Sequence, residues 1–331
     1  MPSFQHRVSV ALLIAGIAML CGRVGAQNAT SETEIEDTIR DVREAIRQSG
    51  DIGAGYAAIL NFAGNPDVST ATYHVDDNVS DEPVINVFRG SLRHAIKNEN
   101  SRWKPFVQAI FPYETLRYGE DYGDGNQVSV EWEAYGIMGM FGAGYSVTEN
   151  LVITPAINFG WLRLDNDARY EGFLAEEILE PAFDGLVYDW YADSIVAGFS
   201  LWADYQWQFE HFDTAFHGGF TYNHVKSIHS SSDHIEINSS ATTLVANMET
   251  IHPTGINLEG FPVSVVFSGG GTAFVGPNRT ALGFDSFLNA GMAFQADISR
   301  LGYAVRSVRL GGAIIFGENV TGWSFTFDYL F

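Results

Sequence analysis

Hydrophobic and polar residues alternate with a period of two along most of the chain from Gly53 to the C terminus. In the clearest run, residues 195–210, one face carries Ile195, Ala197, Phe199, Leu201, Ala203, Tyr205, Trp207 and Phe209. Polar or small residues occupy most of the intervening positions, and runs 214–225 and 284–297 repeat the pattern. Because successive side chains of a β-strand point to opposite faces, this alternation predicts strands with one apolar and one polar face.

The alternating runs reach ten or more residues and tend to end in aromatic residues. A tilted strand needs about 9–11 residues to cross a bilayer, and aromatic residues concentrate at the two membrane interfaces. Twelve candidate strands follow, at 54–63, 84–93, 103–112, 129–147, 151–164, 195–210, 214–227, 241–250, 261–275, 284–297, 304–316 and 320–331. The pattern therefore predicts an all-β fold for residues 53–331: a closed antiparallel transmembrane β-barrel of about 12 strands.

The connections between these strands sort by length. Bacterial barrels keep short turns in the periplasm and long loops outside the cell. If the last strand ends in the periplasm, connections 148–150, 211–213 and 298–303 lie inside, and the long segments 64–83, 113–128, 165–194 and 228–240 lie outside. Two connections depart from this rule: 251–260 is long although it lies inside, and 317–319 is short although it lies outside.

Residues 31–48 have helical rather than strand periodicity. A capping box begins at Ser31, an apolar stripe is formed by Ile35, Ile39, Val42 and Ile46, and basic residues Arg40, Arg43 and Arg47 come late. This arrangement matches the helix macrodipole. At about 1.5 Å per residue the helix is about 27 Å long, close to the thickness of the hydrocarbon core of a bilayer.

The first 26 residues predict export. A basic start, an apolar run from Val8 to Leu20 and the ending Val24-Gly25-Ala26 are typical of a secretory signal peptide, and the run is too short for a spanning helix. Cys21, the one cysteine of the sequence, lies within this segment, so the mature chain is expected to lack disulfides. Residues 27–52 then form an N-terminal helical segment, which is either a plug in the lumen or a periplasmic element.

Composition agrees with a barrel and excludes one class of partner. The mean hydropathy is near zero at −0.01, yet 14% of the residues are aromatic, as expected when lipid-facing and lumen-facing residues alternate. The formal net charge of −22 repels nucleic acid. Acidic residues collect in the predicted outer loops, namely Asp76, Asp77, Asp81, Glu82, Glu114, Glu120, Asp121, Asp124, Asp165, Asp167, Glu171, Glu176, Glu177 and Glu180. Divalent cations are a candidate partner there, against the simpler interpretation of a solvated surface.

The C-terminal strand has aromatic residues at alternate positions, Trp323, Phe325, Phe327, Tyr329 and Phe331. On the edge of a soluble sheet such a face is an aggregation hazard, whereas in lipid it is not. This ending resembles the assembly signal of bacterial outer-membrane proteins. The resemblance implies that the barrel-assembly machinery recognises these five residues and that the protein resides in the bacterial outer membrane as a monomer among its lipids.

Twelve strands preceded by one helix resemble the translocator domain of autotransporters, in which a helix lies in the pore and leads into the first strand. The chain has no passenger between Gln27 and the helix, so it is most similar to solitary autotransporter-type barrels. We expect the helix to act as a plug whose Arg40, Arg43 and Arg47 meet carboxylates of the lumen. The candidate lumen-facing residues are Asp204, Gln206, Gln208, Glu210, His217, Asn289 and Asp297.

Candidate chemistry is sparse. The loop Ser227, His229, Ser231, Asp233, His234 contains the residue types of a hydrolase, but the same residues are ordinary turn formers. His217 and His224 fall on opposite faces of one predicted strand, and the sequence has no HExxH motif. We therefore expect no enzyme, no cofactor and no metal site.

Three functions remain open from the sequence. The first is a porin-like, plugged or narrow channel of the translocator type. The second is a structural or adhesive surface barrel with acidic extracellular loops, and the third, less favoured, is an outer-membrane hydrolase.

Overall fold

The computed structural model describes residues 32–48, 53–64, 70–76, 83–96, 101–276, 282–301 and 306–330. The predicted signal peptide and the terminal Phe331 lie outside these ranges. Side chains are described for the same residues except those of 32–34, 45–48, 53–54 and 328–330.

Twelve antiparallel strands form one closed barrel in which each strand pairs with its sequence neighbours and β1 pairs with β12. The strands are β1 (Ala71–Val75), β2 (Val84–Ala95), β3 (Trp103–Gly123), β4 (Asn126–Ser146), β5 (Leu151–Glu171), β6 (Trp190–Gln208), β7 (Asp213–Ser230), β8 (Asn238–Leu258), β9 (Phe261–Val275), β10 (Ser286–Asp297), β11 (Ser307–Gly317) and β12 (Val320–Leu330). The predicted fold class and strand number are confirmed.

The first predicted strand, at 54–63, is wrong. Residues Gly53–Gly64 form a helix, and the first strand is β1, which lies within the segment predicted to be a loop at 64–83. The helical segment is apolar on all sides, and such a sequence has no period that separates a strand from a buried helix. The barrel accordingly begins at Ala71 rather than Gly53.

The two ends of the barrel differ. One end, called here the loop end, carries connections 76–83, 124–125, 172–189, 231–237, 276–285 and 318–319. The other, the terminal end, carries 96–102, 147–150, 209–212, 259–260, 298–306 and the last residue of β12. The turns observed within the predicted connections lie at the ends that the predicted sides require, although several of these connections are shorter than predicted.

The predicted acidic loop at 113–128 is instead a continuous hairpin. β3 and β4 continue to the two-residue turn Asp124-Gly125, where both residues have positive φ (54° and 77°). This is the backbone of a tight hairpin turn, which an Asp-Gly pair adopts readily. The residues predicted to be loop acids at 114–121 and 165–171 therefore belong to strands β3 and β5, and Glu114 is completely buried.

The outward face of the barrel is apolar. Large exposed side chains on neighbouring strands include Phe141, Phe159, Phe199, Leu288 and Phe325, each with about half of its surface exposed. The inward positions between them are mostly buried or polar. One face towards lipid and one towards the lumen is the pattern expected of a transmembrane barrel.

Helices occupy the lumen and the loop end. Helix α1 spans Glu32–Gln48, helix α2 spans Gly53–Gly64, and a π-helical turn, Ala175–Leu179, continues into the short helix α3, Glu180–Phe183. We call Ala175–Phe183 the lid segment because it lies in the long β5–β6 connection at the loop end. Among the described residues, no helix combines the length and apolar character needed to span a membrane.

Candidate functional site

Helix α2 lies inside the barrel and contacts β3, β4, β5, β7 and β8. Leu60 and Phe62 are fully buried, as are Ala57 and Ala63. At one end the ring of Tyr56 lies 4.7 Å from that of Trp190, and at the other Phe62 lies 5.2 Å from Tyr73. Large apolar and aromatic side chains of the wall thus surround the helix within the lumen.

A polar network joins α2 to the wall. Asn223 Nδ2 of β7 donates to Asn61 Oδ1 of α2 at 3.0 Å. Asn158 Nδ2 donates to Ser200 Oγ at 2.9 Å, and Ser200 Oγ lies 2.8 Å from Thr221 Oγ1. All five side chains are buried. Because buried polar groups are costly without partners, this network favours one position of the helix in the lumen.

An arginine of the wall caps the C-terminal end of α2. Arg89 Nη2 of β2 donates to the carbonyl oxygens of Ala63 (2.7 Å) and Phe62 (3.3 Å). These carbonyls have no partners within the helix, and a cation is stabilised at a helix C terminus. The completely buried Glu114 of β3 interacts electrostatically with the same guanidinium.

Burial changes along the lumen. On the inward face of β6, Ser194, Val196, Ser200 and Trp202 are buried, whereas the residues that follow toward the terminal end become exposed: Asp204 is half-buried, and Gln206 and Gln208 are exposed. At about 1.5 Å per residue, the 12 residues of α2 extend about 18 Å, less than the thickness of a hydrocarbon core. Helix α2 therefore lies in the loop half of the lumen, and we call the terminal half, where inward side chains become exposed, the vestibule.

The vestibule contains paired polar and charged side chains. His217 Nδ1 lies 2.6 Å from Asp204 Oδ1, directly across the β6–β7 pair. Arg309 Nη1 lies 2.9 Å from Glu249 Oε2, and the same guanidinium donates to Gln295 Oε1 at 3.0 Å. Each charge thus has a neighbour that offsets its desolvation.

The other predicted lumen residues lie in different positions. Asn289 is half-buried on β10 between Gly270 and Ile315. Glu210 lies in the exposed turn after β6, and the Asp297 carboxylate at the end of β10 accepts a hydrogen bond from Ser299 N at 2.9 Å. Both residues lie at the terminal rim, whereas Arg43 contacts the lid segment at the loop end and Arg40 pairs with Asp37 of its own helix, so the predicted contact between these carboxylates and the plug arginines is not formed.

Helix α1 contacts the lid segment at the loop end. Arg40 Nη1 pairs with Asp37 of its own helix at 2.8 Å, and Arg43 Nη1 donates to the Pro181 carbonyl of the lid segment at 2.6 Å. Val42 is 2% exposed against the same region, whereas the side chain of Arg47 lies outside the described residues. Val42 and Ile39 of the apolar stripe therefore pack at the loop end, and neither a watery lumen nor a periplasmic partner is needed to cover them.

The lid segment leads into a buried turn. Burial raises the pKa of the Tyr188 hydroxyl. Burial likewise raises the pKa of Asp189, an effect opposed by the hydrogen bond that its carboxylate accepts from Ala168 N at 3.0 Å. Asp189 also has a positive φ of 63°, which Asp and Asn tolerate better than most residues.

The hydrolase residues predicted in the β7–β8 region do not converge. Ser227 Oγ donates to Ile237 O, His229 Nε2 lies 3.2 Å from Tyr191 OH, and Asp233 and His234 are exposed. Within the described ranges, no group of three or more His, Cys, Asp or Glu side chains is placed to hold a metal ion.

The aromatic side chains of the C-terminal strand face outward. Trp323, Phe325 and Phe327 are each more than half exposed, and the side chains of Tyr329 and Phe331 lie outside the described residues. Recognition of this strand by the assembly machinery stays a prediction.

The comparison with known proteins identifies a barrel family. A model of the solitary outer membrane autotransporter β-barrel domain matches residues 85–330, from β2 to the end of β12. No curated protein matches the chain.

Several solved structures also resemble the barrel. The translocator domain of autotransporter NalP from Neisseria meningitidis is 9% identical with a TM-score of 0.48, over 76% of this chain and 82% of that chain. The β domain of the Bordetella autotransporter BrkA is 10% identical with a TM-score of 0.49, over 77% and 92%. The transport unit of autotransporter AIDA-I from Escherichia coli is 9% identical with a TM-score of 0.43, over 83% and 98%.

Proposed function

We propose that this chain, which belongs to the family of solitary outer membrane autotransporter β-barrel domains, is a barrel of the bacterial outer membrane. The barrel holds helix α1 at the cell surface and is closed by α2. The observation that carries the proposal is the buried position of α2 in the loop half of the lumen. The barrel is then a plugged channel of the translocator type.

The orientation follows from the strand ends. The terminal end carries the aromatic strand that resembles an assembly signal, and the end of that strand faces the periplasm in outer-membrane barrels. The loop end, with the 172–189 connection, then faces outward, as long loops do. Since α1 packs on the lid segment at the loop end, the N-terminal segment lies on the outer side.

Surface labelling tests this topology. The sequence has one cysteine, Cys21 in the predicted signal peptide, so a Glu44→Cys variant introduces a single thiol on the exposed face of α1. We expect a membrane-impermeant maleimide to label this variant in intact cells. Asp233→Cys, in a loop at the loop end, is the positive control, and Ser299→Cys, at the terminal end, should stay unlabelled until the outer membrane is permeabilised. Labelling of Glu44→Cys only after permeabilisation would refute the proposed topology.

Deletions test which helix closes the lumen. Removal of residues 27–50 takes away α1 and leaves α2, so the conductance of the purified barrel in planar bilayers should stay near that of the full mature chain. Removal of 27–64 also takes away α2 and should produce a large, steady conductance. An increase in conductance after deletion of 27–50 alone would mean that α1, and not α2, closes the lumen.

A second candidate is a surface barrel that binds other molecules with its outer wall. Strands β3, β4 and β5 each have 21 residues, about twice what a bilayer requires, so this wall projects beyond the membrane. Its outward face carries charged and polar pairs, including Arg117 with Glu131 and Tyr113 with Glu133. Loss of cell or surface attachment on replacement of these residues, with unchanged conductance, would favour this function.

A further inference from the structure

Strands β7 and β8 carry a polar cluster on the side of the barrel that faces lipid. Ser240 Oγ of β8 lies 3.0 Å from His224 Nδ1 and 2.8 Å from Tyr222 OH, both of β7. His224 and Ser240 are directly opposite in the strand register. Polar side chains are costly on a face that meets hydrocarbon, so such a cluster calls for an explanation.

The register places the cluster on the outer face. Along β7, Phe216 and Lys226 share the side of Tyr222 and His224, and both are exposed. Along β8, Leu244 and Met248 share the side of Ser240 and are 44% and 50% exposed. The lumen side of the same strands is different, because it carries the buried Asn223, Val225, Ala241 and Thr243.

The cluster lies at the border of the apolar band. Below it, toward the terminal end, the outward residues are mostly apolar, whereas above it Lys226 pairs across the strands with Asn238 and with Ile195. On the outward side of β6, the next residue from Ile195 toward the loop end is the charged Asp193. In the proposed orientation this border is the level of the outer leaflet at which hydrocarbon gives way to headgroups, where the acyl esters of lipids lie.

A serine hydroxyl within hydrogen-bond distance of an imidazole is the arrangement of an activated nucleophile. The imidazole accepts the hydroxyl proton when Nδ1 is its unprotonated nitrogen. Lys226 and Asn238 supply side-chain donors on the same face, next to the pair, for the negative charge that develops on an ester oxygen. Nucleophile, base and donors thus occur together at the depth of an ester bond.

We propose that Ser240 and His224 form a nucleophile–base pair that hydrolyses acyl esters of lipids in the outer leaflet. Ser240 Oγ bonds to the carbonyl carbon while its proton passes to His224. The ester C–O bond then breaks, and the leaving alkoxide takes that proton as an alcohol, which leaves an acyl-serine. Water, deprotonated by His224, attacks the acyl-serine, and release of a fatty acid returns the proton to Ser240.

This activity is separate from the closure of the lumen by α2. The proposed activity rests on the proposed orientation only for the choice of leaflet, since the Ser240–His224 pair would do the same chemistry in the inner or the outer leaflet. The chain also offers a matched polar pair, because His229 lies 3.2 Å from Tyr191 OH on the same outward face and has no serine in the place that Ser240 takes beside His224.

Covalent labelling tests the nucleophile without knowledge of the lipid. The refolded full mature barrel is treated with a fluorophosphonate probe in detergent, and the modified residue is identified by mass spectrometry. We expect the probe on Ser240, with no labelling in Ser240→Ala and roughly 100-fold slower labelling in His224→Gln, the loss expected for a general base. Ser239→Ala and His229→Gln are the controls and should label at the wild-type rate.

Lipid hydrolysis tests the substrate class. Vesicles of phosphatidylethanolamine, with and without lipopolysaccharide, receive the same variants, and released fatty acid is measured. Release by wild type and not by Ser240→Ala supports the proposal, and the vesicle type distinguishes the two ester sources. Heat-modifiable gel migration confirms that each variant is folded. The proposal is overturned if the folded wild type takes up no probe at Ser240, or if folded Ser240→Ala releases fatty acid as fast as wild type. A failure of the surface-labelling experiment with normal probe uptake would change the leaflet but not the activity.

Discussion

Leu60→Ala is the substitution that most directly tests closure of the lumen. Leu60 is 0% exposed in the middle of α2, and its helix contacts five strands of the wall. The substitution keeps helix propensity, because alanine is the best helix former. It therefore weakens the docking of the helix and leaves the helix itself intact.

The size of the effect follows from the lost contacts. Truncation of a buried leucine costs about 3 kcal/mol, which combines lost transfer free energy with the cavity left behind. Here the cost falls on the docked state of α2, since the undocked helix exposes residue 60 to water in either variant. Each 1.4 kcal/mol changes an equilibrium constant tenfold, so the undocked population should rise by roughly 100-fold.

Single-channel recordings measure that population as opening frequency. Wild type should open rarely and Leu60→Ala roughly 100-fold more often, with the same unit conductance, because the open pore is the same in both. Leu201→Ala removes a lipid-facing leucine and is the matched control. Equal opening frequencies in wild type and Leu60→Ala, with both barrels heat-modifiable, would refute the role of α2 as the closing element.

Three further predictions concern the cap, the wall and the lid. Arg89→Met removes the charged donor at the end of α2 and should raise opening frequency by roughly 10-fold to 100-fold in the same recordings, for a charged hydrogen bond worth about 1.5–3 kcal/mol. Gly198→Ala should lower the midpoint of heat-modifiable unfolding or prevent folding, because an added Cβ lies 2.0 Å from a backbone oxygen of β7, whereas Gly90→Ala, with nothing within 4 Å, should not. Asp189→Asn keeps an acceptor for Ala168 N and removes the carboxyl group of Asp189. Burial raises the pKa of that carboxyl group. The raised folded pKa makes the wild type lose stability as pH rises through that pKa, so the variant should gain in unfolding midpoint over wild type at pH 8 and not at pH 4. An equal gain at both pH values would exclude this cause.

The wall of the barrel could be predicted from the sequence because it obeys one simple rule. Residues Phe199 and Leu201 face outward and Ser200 and Trp202 face inward, as alternation requires. The long connection between β5 and β6 at the loop end was also predicted, at 165–194, although it spans only 172–189. The ends of the strands could not, because the outer parts of β3 to β5 carry charges on their outward face and therefore look like loops.

The contents of the lumen could not be predicted for a different reason. Residues 53–64 lack any period, and a short apolar segment is compatible with either a strand or a buried helix. β1 does alternate, with Ala71, Tyr73 and Val75 buried, but five residues are too few to stand out beside the long flanking strands. Asn61 was the available signal, since a polar residue at the centre of an apolar segment needs a buried partner, and Asn223 supplies it.

The arginines of α1 show why charge in a helix is weak evidence for a plug. Arg40 already pairs with Asp37 of its own helix, and both side chains are exposed, so transfer of the helix into the lumen would desolvate both charges. A closed lumen half needs the opposite kind of helix, small and apolar, with few polar groups that each have a partner in the wall. Helix α2 meets that requirement through Asn61 and the Arg89 cap. The charged helix can then lie outside, where water solvates its polar face and Val42 packs at the loop end.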